Sequence, residues 1–497
     1  MTPLCVPGLH AGRKGRGGPY RQFLLAGLTL CAAALSACVP NLGPAPKLSQ
    51  PNTYSTSQSF SAPETDWPTD AWWTVYGDPE LNKLEDEAIR GAPDLKAAQA
   101  RARAAGAVIE QARAALLPQV NGTGSIQTSK QSLNEGIPPQ FLPFLPAGYH
   151  TQTDINANVD WQLDFFGKNH AALAAAKSSA AAAQADEAAA RLQITAAVAS
   201  AYADLVRLYA DRDEAVDALR VRKDTLDLVG RRLHNGLETR GEFSQQAETV
   251  PAAQGDLEAI DQQILVTRHQ IAALMGEGPD RGLEIPRPTA TKLHPYGLPP
   301  HLGVDLIGRR PDIVAARWRA ESAAKQVKVA KADFYPNVDL TGLYGVQSLG
   351  INELFRYSSV VGAVGPAIHL PIFTAGRLEG AYRGARAEYD ASVANYDQAL
   401  TNALRDVADA VTAQRSLQTQ IADAEASRDA AEDAFRISKL RYQGGLSPYL
   451  NVLTAENGVL TARRNVADLQ AQSLSLDVAL VRALGGGYIE PNRLAVR

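Results

Sequence analysis

Residues 154–166 read DINANVDWQLDFF, and apolar and polar side chains alternate along almost all of this stretch. A repeat of two residues is typical of a β-strand whose two faces meet different surroundings. The alternating part is about eleven residues long, which suits a tilted strand in the wall of an outer-membrane barrel. An ordinary half-buried strand would show the same pattern, so this stretch alone leaves both interpretations open.

The chain contains an internal duplication. Short motifs from the first half recur in the same order in the second half, and the first two pairs share an offset of 218 positions. The matching pairs are PDL 93–95 with PDI 311–313, LPQV 117–120 with YPNV 335–338, LDFF 163–166 with LPIF 370–373, and NGL 235–237 with GGL 444–446. A constant offset over a helix-length span indicates two structural repeats.

Each repeat is predicted to contain a helix, two strands and a long helical hairpin. Residues 169–234 lack proline and contain a single glycine, which allows one helix of about 65 residues. The first repeat is predicted at 72–275, with strands 120–128 and 154–166 and a helical hairpin 169–275. A linker at 276–305 leads to the second repeat at 306–484, with strands 337–347 and 360–372 and a helical hairpin 374–484. A tail follows at 485–497. The triple glycine of the tail predicts a loose segment.

The first 37 residues are predicted to be an export signal. Four basic residues precede an apolar run at 23–35, which is too short for a permanent membrane helix. The run ends in LSAC at 35–38, which resembles the lipobox of bacterial lipoproteins. That resemblance implies that Cys38 is the first mature residue and carries N-acyl and diacylglycerol lipid. Residues 38–71, rich in proline and serine, are then predicted to be an extended acylated tether.

Charge and composition argue against a nucleic-acid partner and against enzyme chemistry. Without the four basic residues of the leader, 45 Lys and Arg stand against 53 Asp and Glu, which is not the basic footprint of a nucleic-acid-binding protein. The eight histidines are scattered, none pairs at i and i+4, and no phosphate-binding glycine loop is present. We therefore predict no catalytic residue, no metal site and no cofactor apart from the lipid on Cys38.

The chain resembles the TolC-like outer-membrane efflux proteins, specifically the lipoprotein branch of NodT or OprM-like type. The resemblance rests on the duplicated motif order, the RRPD run at 309–312, the strand-to-helix junctions and the Gly-Leu turns, and it covers about residues 70–485. It implies a mainly α protein with a membrane β-barrel. The internally duplicated protomer would give four strands to a trimeric 12-stranded barrel, which a long periplasmic α-helical barrel continues.

The same resemblance implies a function and a set of partners. The protein would be the outer-membrane exit channel of a tripartite efflux system, a passive duct for drugs, metals or other small molecules. Its partners would be two further copies of itself, a periplasmic membrane-fusion adaptor, an inner-membrane pump of RND type and outer-membrane lipid. Two alternatives remain open at this point: the duct of a type I protein-secretion system, and a structural coiled-coil lipoprotein that spans the periplasm.

Family positions also suggest functional residues. The adaptor-docking turns correspond to Gly236, Leu237, Gly445, Leu446 and Ser447, and the periplasmic gate corresponds to Glu242, Tyr442, Asn451 and Thr454. Within the gate, we expect a hydrogen bond from the Tyr442 phenol to the Glu242 carboxylate. Asn451 and Thr454 occupy places where relatives often have Asp, which implies a weaker cation-attracting field here.

The resemblance turns the stretch at 154–166 into a predicted barrel strand with assigned faces. The side chains expected to face lipid are Ile155, Val159, Trp161, Leu163 and Phe165. The alternate polar residues, such as Asn158, would face a wet lumen. Aromatic residues at the end of the strand would suit the girdle near the membrane boundary.

Overall fold

The computed structural model describes residues 39–130, 148–289 and 297–491, together with positions 132, 138, 140 and 294. The predicted export signal, Cys38 and most of the first hairpin loop lie outside these residues, so what we expect of them stays a prediction.

Most of the described residues are helical. The helices are α1 (Pro79–Gly91), α2 (Pro93–Ala114), α3 (Lys168–His234), α4 (Arg240–Met275), α5 (Pro279–Leu283), α6 (Leu302–Arg309), α7 (Pro311–Ala332), α8 (Arg377–Gln443) and α9 (Tyr449–Ala483). The longest, α3 and α8, have 67 residues each. They occupy corresponding positions in the two repeats. None of the described helices is long and apolar enough to cross a membrane.

Four antiparallel strands form one sheet in the order β1-β2-β3-β4. They are β1 (Gln119–Lys130), β2 (Tyr149–Leu163), β3 (Asn337–Leu349) and β4 (Val360–His369). Strand β2 begins before the predicted Asp154 and ends at Leu163, so Phe165 lies outside the strand to which we assigned it. The reason is local, because the Asp164 carboxylate accepts a hydrogen bond from the His170 backbone N–H at 2.8 Å and so belongs to the start of α3.

The two faces of the sheet differ in polarity. Side chains that share one face are apolar across three strand pairs, with Val120 opposite Val159, Trp161 opposite Leu340, Leu163 opposite Val338 and Val338 opposite Ile368. The other face carries hydrogen-bonded polar pairs: Asn158 Nδ2 donates to Thr123 Oγ1 at 3.0 Å, and Ser125 Oγ donates to Asp154 Oδ2 at 3.1 Å. The alternation in the sequence therefore becomes one apolar surface and a second surface that is polar on β1 and β2 and mixed on β3 and β4, where Leu343 lies opposite Ala363.

The chain divides into two compact units. The first consists of Met1–Ala45, Gln111–Leu173 and Ala324–Glu388, and the second consists of Pro46–Glu110, Ala174–Ala323 and Tyr389–Arg497. The first unit contains the sheet. The second contains the buried hydrophobic clusters of the described residues.

Aromatic residues just before α1 form the centre of the largest hydrophobic cluster. Trp72 and Tyr76 are almost fully buried and belong to the same cluster as Tyr202 of α3. The Tyr202 hydroxyl donates to the buried Asp78 Oδ2 at 2.6 Å, and Asp78 Oδ1 accepts from the Glu80 backbone N–H at 2.9 Å. Asp78 thus caps α1 and ties it to α3 at the same time.

The segment before residue 71 contains a 3₁₀ turn at Pro51–Thr53, and much of it is not the extended tether that we predicted. The backbone N–H of Ser49 donates to Asp397 Oδ1 at 3.1 Å, and the Tyr389 hydroxyl donates to the Pro46 carbonyl at 2.9 Å. Glu64 forms a parallel bridge with Leu298. The expectation of an extended tether is wrong from Pro46 onward, because apolar residues between its prolines pack on a hydrophobic cluster of the second unit, to which they belong.

The described part of the C-terminal tail, 485–491, is also held in place. Each glycine of the triple run has a positive φ, and a Cβ on Gly487 would lie 2.1 Å from the backbone of Thr69. Trp318 Nε1 donates to the buried Glu490 Oε1 at 2.9 Å. The prediction of a loose tail is therefore wrong for these residues, since the glycines allow close backbone packing and not freedom.

Candidate functional site

Two helix–turn–helix tips occupy matching positions in the two repeats, between α3 and α4 and between α8 and α9. At the first, Gly236 has a φ of 70°, and the Leu237 backbone N–H donates to the Arg232 carbonyl at 2.8 Å. At the second, Gly445 has a φ of 73°, and the Leu446 backbone N–H donates to the Arg441 carbonyl, also at 2.8 Å. Both helices thus end in the same Schellman arrangement, which needs a left-handed residue.

The turns expose one large apolar side chain each. Leu237 is 63% exposed and Leu446 is 73% exposed. The Ser447 hydroxyl, by contrast, is buried without a hydrogen-bond partner among the described residues. Gly236 and Gly445 are exposed as well, so the leucines are the members of the predicted docking set that offer a partner an accessible apolar side chain.

Tyr442, a predicted gate residue, is almost fully buried and connects the two tips. Its hydroxyl donates to Glu238 Oε1, which also accepts from Arg232 Nε at 3.0 Å. Arg232 Nη1 donates to the Tyr442 carbonyl at 3.2 Å, and its guanidinium lies 4.3 Å from the centre of the Tyr442 ring. Burial, together with the hydrogen bond to Glu238, raises the pKa of Tyr442, so the phenol keeps the proton that it donates.

The predicted hydrogen bond from Tyr442 to Glu242 is wrong. Glu242 instead forms a capping box at the start of α4, where its Oε2 accepts from the Thr239 backbone N–H at 2.9 Å and its own backbone N–H donates to Thr239 Oγ1 at 3.3 Å. The hydrogen bond from the Thr239 backbone also lowers the pKa of Glu242. The Thr-x-x-Glu pattern at 239–242 signals this role in the sequence itself.

A second layer of contacts lies farther from the turns. The Tyr449 hydroxyl donates to the amide oxygen of Gln246, and Gln246 Nε2 donates to the Arg222 carbonyl at 3.0 Å. The rings of Tyr442 and Tyr449 meet edge to face with centres 5.7 Å apart. These contacts join α9 to α4 and α3, and the sequence interpretation missed all three partners of this layer as well as Arg232 and Glu238.

Asn451 and Thr454 take no part in either layer. Both are exposed on α9, and the Thr454 hydroxyl donates to the Leu450 carbonyl of its own helix at 2.9 Å. The described residues contain no group of three or more His, Cys, Asp and Glu side chains that could hold a metal ion.

Comparison with known proteins identifies the family. The model of the outer membrane efflux protein family matches residues 84–277 and 302–486, which are the two repeats and omit the linker. This chain belongs to the outer membrane efflux protein family. Each of the two matched segments contains one pair of strands and one tip.

Individual relatives agree with this assignment. The chain is 35% identical to the fusaric acid resistance protein FusA of Burkholderia cepacia over 65% of this chain and 60% of FusA, so the match spans less than two thirds of that relative. It is 28% identical to the multidrug resistance outer membrane protein MdtP of Escherichia coli over 85% of this chain and 87% of MdtP.

Solved structures show the same fold. The outer membrane protein VceC of Vibrio cholerae is 42% identical, with a TM-score of 0.79 over 85% of this chain and all of VceC. The outer membrane channel MtrE of Neisseria gonorrhoeae is 26% identical, with a TM-score of 0.75 over 90% of this chain and 98% of MtrE. The predicted family, the TolC-like fold and the assignment as an outer-membrane efflux channel are confirmed.

Proposed function

We propose that this protein is a passive exit duct for small molecules in the outer membrane and that it works as a homotrimer. The observation that supports this most directly is the sheet. Its edge strands, β1 and β4, each pair on one side only within the described protomer. An open edge leaves backbone N–H and C=O groups unpaired, which is costly in lipid, so a spanning sheet must be closed by other copies. Three copies supply twelve strands.

The polarity of the sheet faces supports the same proposal. The face with Val159, Trp161 and Leu340 would contact lipid, whereas the face with Asn158 and Asp154 would line a water-filled lumen. A structural lipoprotein that only spans the periplasm needs neither face. The hydrogen-bonded polar pairs would keep the lumen surface ordered without blocking it.

The partners of the duct are proposed from the tips. Leu237 and Leu446 would insert into apolar pockets of a periplasmic membrane-fusion adaptor, because exposed leucines on rigid turns bury area at little entropic cost. The adaptor would connect the duct to an inner-membrane pump of RND type. The relatives named for resistance to fusaric acid and to multiple drugs favour small organic molecules as the transported class.

The proposed lipid anchor on Cys38 is compatible with the packed N-terminal segment. The chain is fixed to the second unit at Pro46, eight residues after Cys38. Eight extended residues reach at most about 28 Å. The acylated residue would therefore have to lie within that distance of Pro46, and the lipid would hold this part of the protomer near the membrane surface.

Complementation in an efflux-deficient Gram-negative strain tests the function. Expression of this protein with a membrane-fusion adaptor and an RND-type pump from its own source should restore resistance to a panel of small drugs, and the membrane-extracted protein should run as a trimer that co-purifies with both. A Leu237→Asp, Leu446→Asp double variant should stay trimeric in the membrane and lose the adaptor. A monomer that binds neither partner would contradict the proposal.

A further inference from the structure

A carboxyl group that takes no part in the contacts of Tyr442 with Glu238 and Arg232 lies buried between two helices near the tips. Glu456 of α9 has only 1% of its surface exposed. Its Oε2 is 3.1 Å from the hydroxyl of Thr225 on α3, and its Oε1 is buried with no hydrogen-bond partner among the described residues. Thr225 is itself buried. We call this contact the Glu456 tie.

Thr225 has one hydroxyl proton and two candidate acceptors. Its Oγ1 lies 2.9 Å from the Val221 carbonyl of its own helix and 3.1 Å from Glu456 Oε2. When Glu456 is ionised, the hydroxyl can donate to only one of them, and the second carboxylate oxygen stays buried without a hydrogen bond from any described residue. When Glu456 is protonated, it donates to Thr225 Oγ1, which then donates to Val221. Protonation therefore completes a chain of two hydrogen bonds.

The neighbours of Glu456 do not neutralise its charge by direct pairing. The charged or titratable groups that face it from the packed helices are Arg222 of α3, Lys439 of α8 and Tyr449 of α9. Among the described residues, neither Arg222 nor Lys439 forms an ion pair within 4 Å of the Glu456 carboxyl. Arg222 Nη1 instead donates to the Thr249 carbonyl at 3.0 Å. On α4, the side chain in contact with this layer is the neutral Gln246.

Burial raises the pKa of Glu456 above its ordinary value when α9 is packed on α3. When the helices separate and water enters, the pKa returns towards that of a free carboxyl. A group whose pKa is higher in one state stabilises that state as the pH falls. The packed state therefore gains stability on acidification. Its population relative to the separated state rises by up to about tenfold for each pH unit between the pKa of Glu456 in the separated state and its pKa in the packed state.

We propose that Glu456 is a positioning residue that closes the tip in acid, because its protonation strengthens the tie between α9 and α3 and so lowers conductance through the duct. The inference rests on the proposed function only for its conductance consequence. The tie itself is a property of the protomer and can be measured without a channel.

The test compares three full-length proteins: wild type, Glu456→Gln and Glu248→Gln. The glutamine at 456 imitates the neutral carboxyl and can donate to Thr225. Glu248 is exposed on α4 two residues from Gln246, so its variant makes the same chemical change without touching the tie. Single-channel conductance is recorded in planar bilayers from pH 8 to pH 5, and backbone hydrogen exchange of residues 221–229 and 452–460 is recorded at the same pH values.

In wild type and Glu248→Gln, acidification should lower conductance and raise the protection of both segments, so that both quantities differ from those of Glu456→Gln at pH 8 and approach them at pH 5. Glu456→Gln should show low conductance and high protection at every pH from 8 to 5, without the change on acidification that wild type shows. If Glu456→Gln keeps the wild-type pH profile of protection, the tie is not controlled by Glu456 and the inference is wrong. If protection behaves as expected but no variant conducts, the proposed duct fails while the tie stands.

Discussion

The contact between Tyr442 and Glu238 makes the sharpest prediction about opening of the tip. Tyr442→Phe removes the hydroxyl that donates to Glu238 and leaves the ring, its contact with Tyr449 and the ion pair between Arg232 and Glu238. A hydrogen bond to a charged acceptor contributes about 1.5–3 kcal/mol. Loss of that amount shifts the balance between packed and separated tips by roughly 10- to 150-fold.

Single-channel recording of the reconstituted protein measures this shift. Tyr442→Phe and Glu238→Gln should each increase mean conductance or the fraction of time spent in the open state. Tyr389→Phe is the matched control, because it makes the same chemical change where the hydroxyl donates to the N-terminal segment, and it should leave conductance unchanged.

The same experiment distinguishes the observed contact of Tyr442 with Glu238 from the contact with Glu242 that the sequence suggested. Glu242→Gln should weaken only the cap of α4 and should not open the tip. If Tyr442→Phe conducts like wild type while Glu242→Gln conducts more, the reasoning from the Tyr442 contact is refuted.

Three further predictions concern assembly and stability. Val159→Asp should reduce the yield of membrane-inserted trimer on native gels far more than Asn158→Asp, and equal yields would contradict the assigned faces of β2. Gly487→Ala should lower the melting temperature, because the new Cβ would collide with backbone and the φ of this residue is 81°. The expected loss of folding free energy is about 1–3 kcal/mol. Gly255→Ala is the control, because it lies in an open helical position and should leave the melting temperature unchanged. Glu85 is fully buried, and its carboxyl oxygens have no hydrogen-bond partner among the described residues. Burial raises its pKa, so its stabilising contribution is present at low pH and is lost as the pH rises. Glu85→Gln should therefore melt higher than wild type at pH 8 and like wild type at pH 4, and equal midpoints at both pH values would contradict this.

Local patterns in the sequence were enough to predict the architecture. The alternation at 154–166 specifies a strand with unlike faces whatever it packs against, because neighbouring side chains of a strand point to opposite sides. Likewise, 66 residues without proline allow a long helix, and the glycine in each Gly-Leu turn supplies the left-handed residue that the turn needs.

Pairing between helices could not be predicted in the same way. The family position suggested Glu242 as the acceptor for the Tyr442 hydroxyl. Glu242 instead takes part in the cap with Thr239, and Glu238 accepts the hydrogen bond from Tyr442. Both carboxylates lie within one turn of each other. Which of them crosses to α8 depends on how the two tips pack, and the sequence of one hairpin does not contain that information.

The same distinction holds for the two ends of the chain. Proline in the segment at 38–71 predicted an extended tether and glycine in the segment at 485–497 predicted a loose tail, because these residues exclude regular helix and strand. Tertiary structure shows the opposite for the described residues, since Gly487 allows contact with Thr69 and Glu490 accepts from Trp318. The sequence alone thus determined the strands, the helices and their duplication, which depend on local periodicity and backbone freedom. Only the tertiary structure decided which groups meet across elements, because burial and hydrogen bonding are satisfied by the whole fold and not by neighbours in the chain.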